Sequence, residues 1–146
     1  MFVVNVEGAI YKNEKWLLIR RSKKEEHAGG QLSLVGGKVE VDGTSTDVLE
    51  KTLKREIFEE VGIEVSNLKY VNSSFFVTDS GLNVIDIVFQ CDHESGEAYA
   101  KCLDEVDDVC WMSTEEILHN SEIPIYLKEN IKLAEKLIAV SDFIGE

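Results

Sequence analysis

The chain has 146 residues, 44% of them hydrophobic and 29% charged, with a formal net charge of −13. That length suits one domain with a proper core, expected over residues 1–146, and is too short for two comfortable ones. The acidic excess argues against non-specific binding to nucleic acid or to an anionic membrane, since both need a surplus of Lys and Arg. No run of about 18 apolar residues is present to cross a bilayer.

Phe2 to Tyr11 is rich in β-branched and aromatic residues and predicts a strand, with Gly8 as a candidate bulge. Glu7 interrupts its apolar run, and no basic region precedes it, so it is not a signal peptide. Lys12 to Lys15 reads as a hairpin connection, Trp16 to Arg21 as a largely buried strand, and Ser22 to Gly30 as a charged loop in which His27 is a loop residue. Leu32 to Val35 predicts a short strand running into Gly36-Gly37-Lys38-Val39-Glu40. A loop over Val41 to Ser45, turning on Asp42-Gly43, leads to a helix capped by Thr44, Ser45 or Thr46. Leu49, Leu53, Ile57 and Val61 give that helix its core stripe, and Gly62 ends it.

Leu68 to Val77 and Asn83 to Cys91 predict two strands joined at Asp79-Ser80-Gly81, followed by a polar loop from Asp92 to Glu105 and a last strand from Val106 to Met112. Ser113 is placed to cap a short helix, and Pro124 precedes a longer one with Leu127, Ile131, Ala134 and Ile138 on its core face. The pattern is that of a mixed β-sheet flanked by helices, α/β or α+β in class. Cys91, Cys102 and Cys110 are odd in number and lack C-x-x-C spacing, which fits reduced thiols in a cytoplasmic protein. Trp111, Phe75, Phe76 and Tyr99 read as core packing before they read as base-stacking groups.

The informative stretch is Arg55-Glu56-Ile57-Phe58-Glu59-Glu60-Val61-Gly62-Ile63. On a helix, Glu56, Glu59 and Glu60 project from one face. Their mutual repulsion, and their place at the anion-disfavouring C-terminus, together oppose folding by about 1–3 kcal/mol. Arg55 relieves Glu59 in the weaker orientation. A hard cation, Mg²⁺ or Mn²⁺, would relieve all three, because such ions prefer carboxylate oxygens.

Together with the preceding double glycine, this run resembles the Nudix box, G-x5-E-x7-R-E-U-x-E-E-x-G-U, and its second half fits at every specified position. Gly8-Ala9-Ile10 and Leu17-Leu18-Ile19-Arg20-Arg21 resemble the family's opening strands, and Val109-Cys110-Trp111-Met112 with Glu115-Glu116-Ile117-Leu118 its closing strand and helix. There are departures. Val35 stands where proline is usual, and the loop before the helix is about four residues longer than the pattern, an insertion of small closure cost. Asp47 therefore occupies the place of the first box Glu, and Val41 that of the first box Gly.

The resemblance implies a Nudix-type mixed sheet between helices and hydrolysis of a nucleoside diphosphate linked to a moiety X, with Mg²⁺ or Mn²⁺ as cofactor. It implies Glu59 and Glu60 as metal ligands, Glu56 as ligand or base, Gly37 as a carbonyl ligand, and Arg55 as the residue orienting a carboxylate. Glu40 could reach a metal or merely help close its loop. Glu105 is the further base or ligand expected from a late loop, with Glu97 and Asp104 behind it. Arg20, Arg21 and Lys38 are candidate phosphate contacts, since little else in the chain offsets a substrate's charge.

The expected partner is a small nucleotide, such as a nucleoside triphosphate. ADP-ribose or a nucleotide sugar is the alternative, and a non-catalytic nucleotide sensor is the rival of another class. Capped RNA stays open despite the charge. Specificity is expected from Ser22 to Gly30 and Ser73 to Leu82. A homodimer is compatible with the sequence, which does not specify oligomeric state.

Overall fold

Strand alternation gives one sheet two apolar faces, and each face is covered by helix. The structure is a computed structural model that describes residues 1–25, 28–41 and 43–144, with side chains to residue 140. His27 and Asp42 lie outside the described residues. The strands are β1 (Phe2–Lys12), β2 (Lys15–Arg21), β3 (Leu32–Ser33), β4 (Val35–Lys38), β5 (Glu64–Val77), β6 (Asn83–Ser95) and β7 (Val106–Met112). The helices are α1 (Val48–Val61), α2 (Thr114–Leu118) and α3 (Ile125–Ile144). None of these helices is long and apolar enough to cross a membrane.

The seven-stranded sheet runs β3-β2-β1-β6-β5, with β4 also on β1 and β7 also on β2. It is mixed: β1 runs parallel to β6 and antiparallel to β2 and β4. One edge of β1 is shared between two partners, with Asn5 to Gly8 pairing β4 and Tyr11 to Lys12 pairing β2. Leu53, Ile57 and Val61 of α1 pack with Val6, Ile10, Leu17, Ile19 and Phe89 on one side. On the other side, Leu127, Ile131 and Ala134 of α3 and Ile117 of α2 pack with Ala9, Trp16, Leu18 and Val88. Each fully buried aliphatic side chain contributes roughly 1.5–3 kcal/mol, so these two layers fix where the helix ends point. The fold is the mixed α+β sandwich expected.

Several details differ from the sequence reading. Gly8 is not a bulge, because it pairs with Phe89 and Val35 in unbroken register. A Cβ there would come within 3.2 Å of Ile57 Cδ1 and 3.3 Å of Cys91 Sγ, so the glycine lets α1 lie close on the sheet. The N-cap of α1 is Asp47 rather than Thr44, Ser45 or Thr46; it adopts a left-handed φ of 52° and makes no side-chain capping bond. The inserted loop delivers the chain in that conformation, which excludes the usual Ser/Thr cap geometry.

β5 begins at Glu64, not Leu68, and β6 runs on to Ser95 into what was expected to be loop. Bulges between Ser66 and Lys69 and between Tyr70 and Asn72 absorb the mismatch in β5. Phe75, Phe76 and Tyr99 are exposed rather than core, and only Trp111 packs, half-buried, against the α1-side core. Ser113 does cap α2, in a reciprocal capping box with Glu116.

Candidate active site

Helix α1 is held by its apolar stripe so that its last two turns present Glu56 and Glu60 toward the loop that precedes β7. Carboxylate oxygens of Glu56, Glu60 and Glu105 all lie within 4.8 Å of one another. Glu60 is buried at 4% exposure, and its Oε2 has no hydrogen-bond partner among the described residues. Burial, then the charges of Glu105 and Glu56, pushes the Glu60 carboxyl up to about 9. Burial likewise raises Glu56, against the pull of Arg55.

Gly37, on β4, belongs to the same constellation. A Cβ at that position would lie 2.6 Å from Glu56 Cδ and 2.8 Å from its Oε2, so only glycine admits the carboxylate against the strand. Arg55 reaches Glu56 at 3.3 Å and Glu59 at 3.2 Å. Glu59 sits at the rim: its side chain is 55% exposed and turned to Arg55, apart from the Glu56–Glu60–Glu105 cluster. Glu40 lines a cavity of about 200 Å³ with Val41, Ser45, Val48, Lys51, Thr52 and Arg55, beside the cluster rather than in it.

The candidate phosphate contacts diverge. Arg20 donates to the Gly30 carbonyl at 2.9 Å and pairs with Glu122 at 3.2 Å, which commits it to bracing the loop and the segment before α3. Arg21 pairs with Glu25 at 3.7 Å, yet it is near enough to Glu60 to lower its pKa. Lys38 is exposed at the end of β4, next to Gly37. Lys24 pairs with Asp104 at 3.4 Å, and both side chains are open to solvent. Glu97 is exposed and outside the cluster.

Two acids escaped the sequence reading. Glu7 on β1 and Asp86 on β6 stand close together, and burial, then Asp86 alongside, raises the Glu7 carboxyl well above the ordinary range. Asn5 Nδ2 donates to Asp86 Oδ1 at 2.7 Å. By alternation, Glu7 shares the α3 side of the sheet with Ala9, and burial, then the charges of Glu7 and Asp86, raises the Tyr126 hydroxyl on α3. The signal was present in the sequence, as an acid breaking each of two neighbouring apolar strands.

Three carboxylates gathered within 4.8 Å, one of them buried with an unpartnered oxygen, form the kind of donor set a hard divalent cation takes. The residues present therefore fit such an ion. Comparison with known proteins agrees with this chemistry. The NUDIX domain family model matches residues 1–131. The chain is 31% identical over 133 residues to the NAD-capped RNA hydrolase NudC of Haemophilus influenzae, covering 91% of this chain and 45% of that protein. It thus spans less than half the length of such relatives.

Among solved structures, the MutT protein of Methanosarcina mazei Go1 superposes with a TM-score of 0.76 at 25% identity, over 92% of this chain and 94% of that one. The MutT NUDIX hydrolase of Burkholderia pseudomallei gives 0.77 at 22% identity over 91% and 98%, a likeness of fold. With the family model covering nearly the whole chain, and two of the box carboxylates, Glu56 and Glu60, gathered with Glu105 at the end of α1, this protein belongs to the Nudix family.

Proposed function

We propose that the protein is a metal-dependent pyrophosphohydrolase of a small nucleotide, cleaving the diphosphate of a nucleoside diphosphate linked to X. The observation that carries this reading is the Glu56–Glu60–Glu105 cluster with its unpartnered Glu60 oxygen. Glu56, Glu60 and the Gly37 carbonyl would hold Mg²⁺ or Mn²⁺, with Glu59 joining from the rim. When bound, the ion supplies charge neutralisation at the phosphate oxygens and activation of water.

The chain's own residues do the rest. Glu105, exposed beside Glu60 and Glu56, would take the proton of the attacking water. Arg55 holds Glu56 in register through its 3.3 Å contact. Lys38 and Arg21 supply positive charge to the substrate's phosphates, a need that the net charge of −13 makes acute. Arg20 acts as a strut, and Glu40 helps close the lengthened loop.

A nucleoside triphosphate is the substrate class we favour. A dinucleotide of the NAD type is the second reading, favoured by the 31% identity to NudC over 91% of this chain. The three free cysteines suit a reducing cytoplasm, where we place the protein. The test is a nucleotide- and phosphate-release screen over nucleoside triphosphates, NAD, ADP-ribose, nucleotide sugars and dinucleoside polyphosphates, with EDTA and added Mg²⁺ or Mn²⁺ as controls. Turnover should vanish on chelation and return with the ion. A Glu60→Gln variant with wild-type kcat at saturating Mg²⁺ would remove the basis of the reading.

A further inference from the structure

The site lies where a helix ends, and helix ends leave carbonyl groups without partners. In α1 these groups are taken up by the segment that carries Glu105. The Tyr99 N–H donates to the Val61 carbonyl at 3.1 Å, and the Lys101 and Cys102 N–H groups donate to the Glu60 carbonyl at 3.0 and 3.4 Å. Residue 60 therefore uses both ends: its side chain is in the cluster, and its carbonyl anchors the strap.

Within the strap the side chains alternate. Ala98 and Ala100 pack against the α1-side core. The Tyr99 ring lies against Gly62, where a Cβ would meet its Cε1 at 2.5 Å, and Lys101 Nζ sits 3.8 Å from the Phe58 ring centroid. Gly96, with φ of 92°, lets the chain enter the strap close to the Gly62 carbonyl. The far end is a tight turn in which the N–H groups of Glu105 and Val106 donate to the Cys102 carbonyl at 3.0 and 2.8 Å. Ser22 then donates its N–H to the Glu105 carbonyl at 2.9 Å.

We infer that Tyr99 and Lys101 are positioning residues, which clip the strap across the last turn of α1 and so hold Glu105 against Glu56 and Glu60. Residues 99 to 102 leave the helix end and return Glu105 to the same turn, so slack in the strap moves Glu105 relative to its partners. The backbone bonds give the strap its register. The Tyr99–Gly62 and Lys101–Phe58 contacts straddle those bonds and keep the strap from peeling into solvent. This rests on the proposed role of Glu105.

The test compares Tyr99→Ala/Lys101→Ala and Lys101→Ala with Glu105→Gln, each carried through steady-state kinetics on the best substrate of the screen. Each is also titrated with Mn²⁺ alone, followed by electron paramagnetic resonance. The double variant should lose about tenfold in kcat with substrate KM moving less than about twofold, as expected for a misplaced reacting group. Lys101→Ala alone should lose about threefold, with Mn²⁺ affinity within about twofold of wild type in each, because Glu105 is not among the proposed holders of the ion. Added to Glu105→Gln, the double variant should cost almost nothing further, and Tyr99→Phe/Lys101→Arg should restore wild-type values.

A lowered Tm with kcat unchanged would reduce the clip to a structural contact, as would losses that simply multiply with those of Glu105→Gln. If Glu105→Gln itself behaves as wild type, the reading of the site has failed. If it is impaired while the clip variants are not, the positioning inference alone has failed.

Discussion

Glu60→Gln in the metal-free protein is the sharpest probe of the site's electrostatics, because it needs no substrate. In the folded chain the Glu60 carboxyl is pushed up to about 9, chiefly by burial and then by Glu105 and Glu56, from an ordinary value of 4.5. Between those two pH values the folded state keeps a proton that the unfolded chain has released. Stability therefore falls as pH rises through that window, and it is greatest below it. One pH unit of difference corresponds to about 1.4 kcal/mol, which sets a ceiling of about 6 kcal/mol across the window. Relaxation around the site leaves roughly 2–3 kcal/mol of this to be seen.

Glutamine has nearly the same shape and no charge, so it should flatten this slope. Thermal melts of EDTA-treated protein at about pH 5, 7 and 9 should show wild type losing roughly 5–10 °C more than Glu60→Gln from the lowest to the highest pH. The variant should be the more stable protein at the alkaline end. A wild-type Tm that is flat or rising over this range, or a variant with an equal slope, would refute the argument that burial strain is concentrated on Glu60.

Gly37→Ala places a methyl 2.6 Å from Glu56 Cδ, so Glu56 or the strand must move; kcat should drop by about a hundredfold with a small change in Tm, measured by kinetics and calorimetry. Arg55→Met removes contacts to Glu56 and Glu59 that lie partly in solvent. It should change stability by less than about 0.5 kcal/mol in urea melts while lowering kcat severalfold. Ser113→Ala loses the oxygen that accepts the Glu116 N–H at 3.1 Å; Tm should fall by about 2–4 °C with activity unchanged.

Helix α1 was legible because periodicity and a glycine stop are local signals, and its core face of Leu53, Ile57 and Val61 is where the spacing put it. The cap of α2 was legible for the same reason. What the sequence could not supply was distance. Glu56, Glu59 and Glu60 look alike on a helical projection. The sheet buries one, half-buries another and leaves the third at 55% exposure with Arg55. Glu105 was selected from several acids in a polar loop, and nothing local distinguishes it from Asp104. The strap's bonds to Glu60 and Val61 make that distinction, and they are long-range. Asp47 as cap, and the extension of β6 to Ser95, depend likewise on how an inserted loop and a strand partner fit together.

The placement of these acids runs against every local preference at once. Carboxylates at a helix C-terminus oppose the macrodipole, carboxylates four residues apart repel, and a buried carboxylate loses its hydration. The chain counters the first by covering the end carbonyls with strap N–H groups, and part of the second with Arg55. The third is left uncorrected at Glu60 Oε2, although a serine or asparagine turned toward that atom would satisfy it. A fold that counters the first, part of the second and not the third is what the proposed reading expects, since a hard cation would take up that oxygen. The two apolar layers on either side of the sheet supply the stability that offsets this cost, and in the proposed reading that same oxygen is the one best placed to hold an ion against a diphosphate.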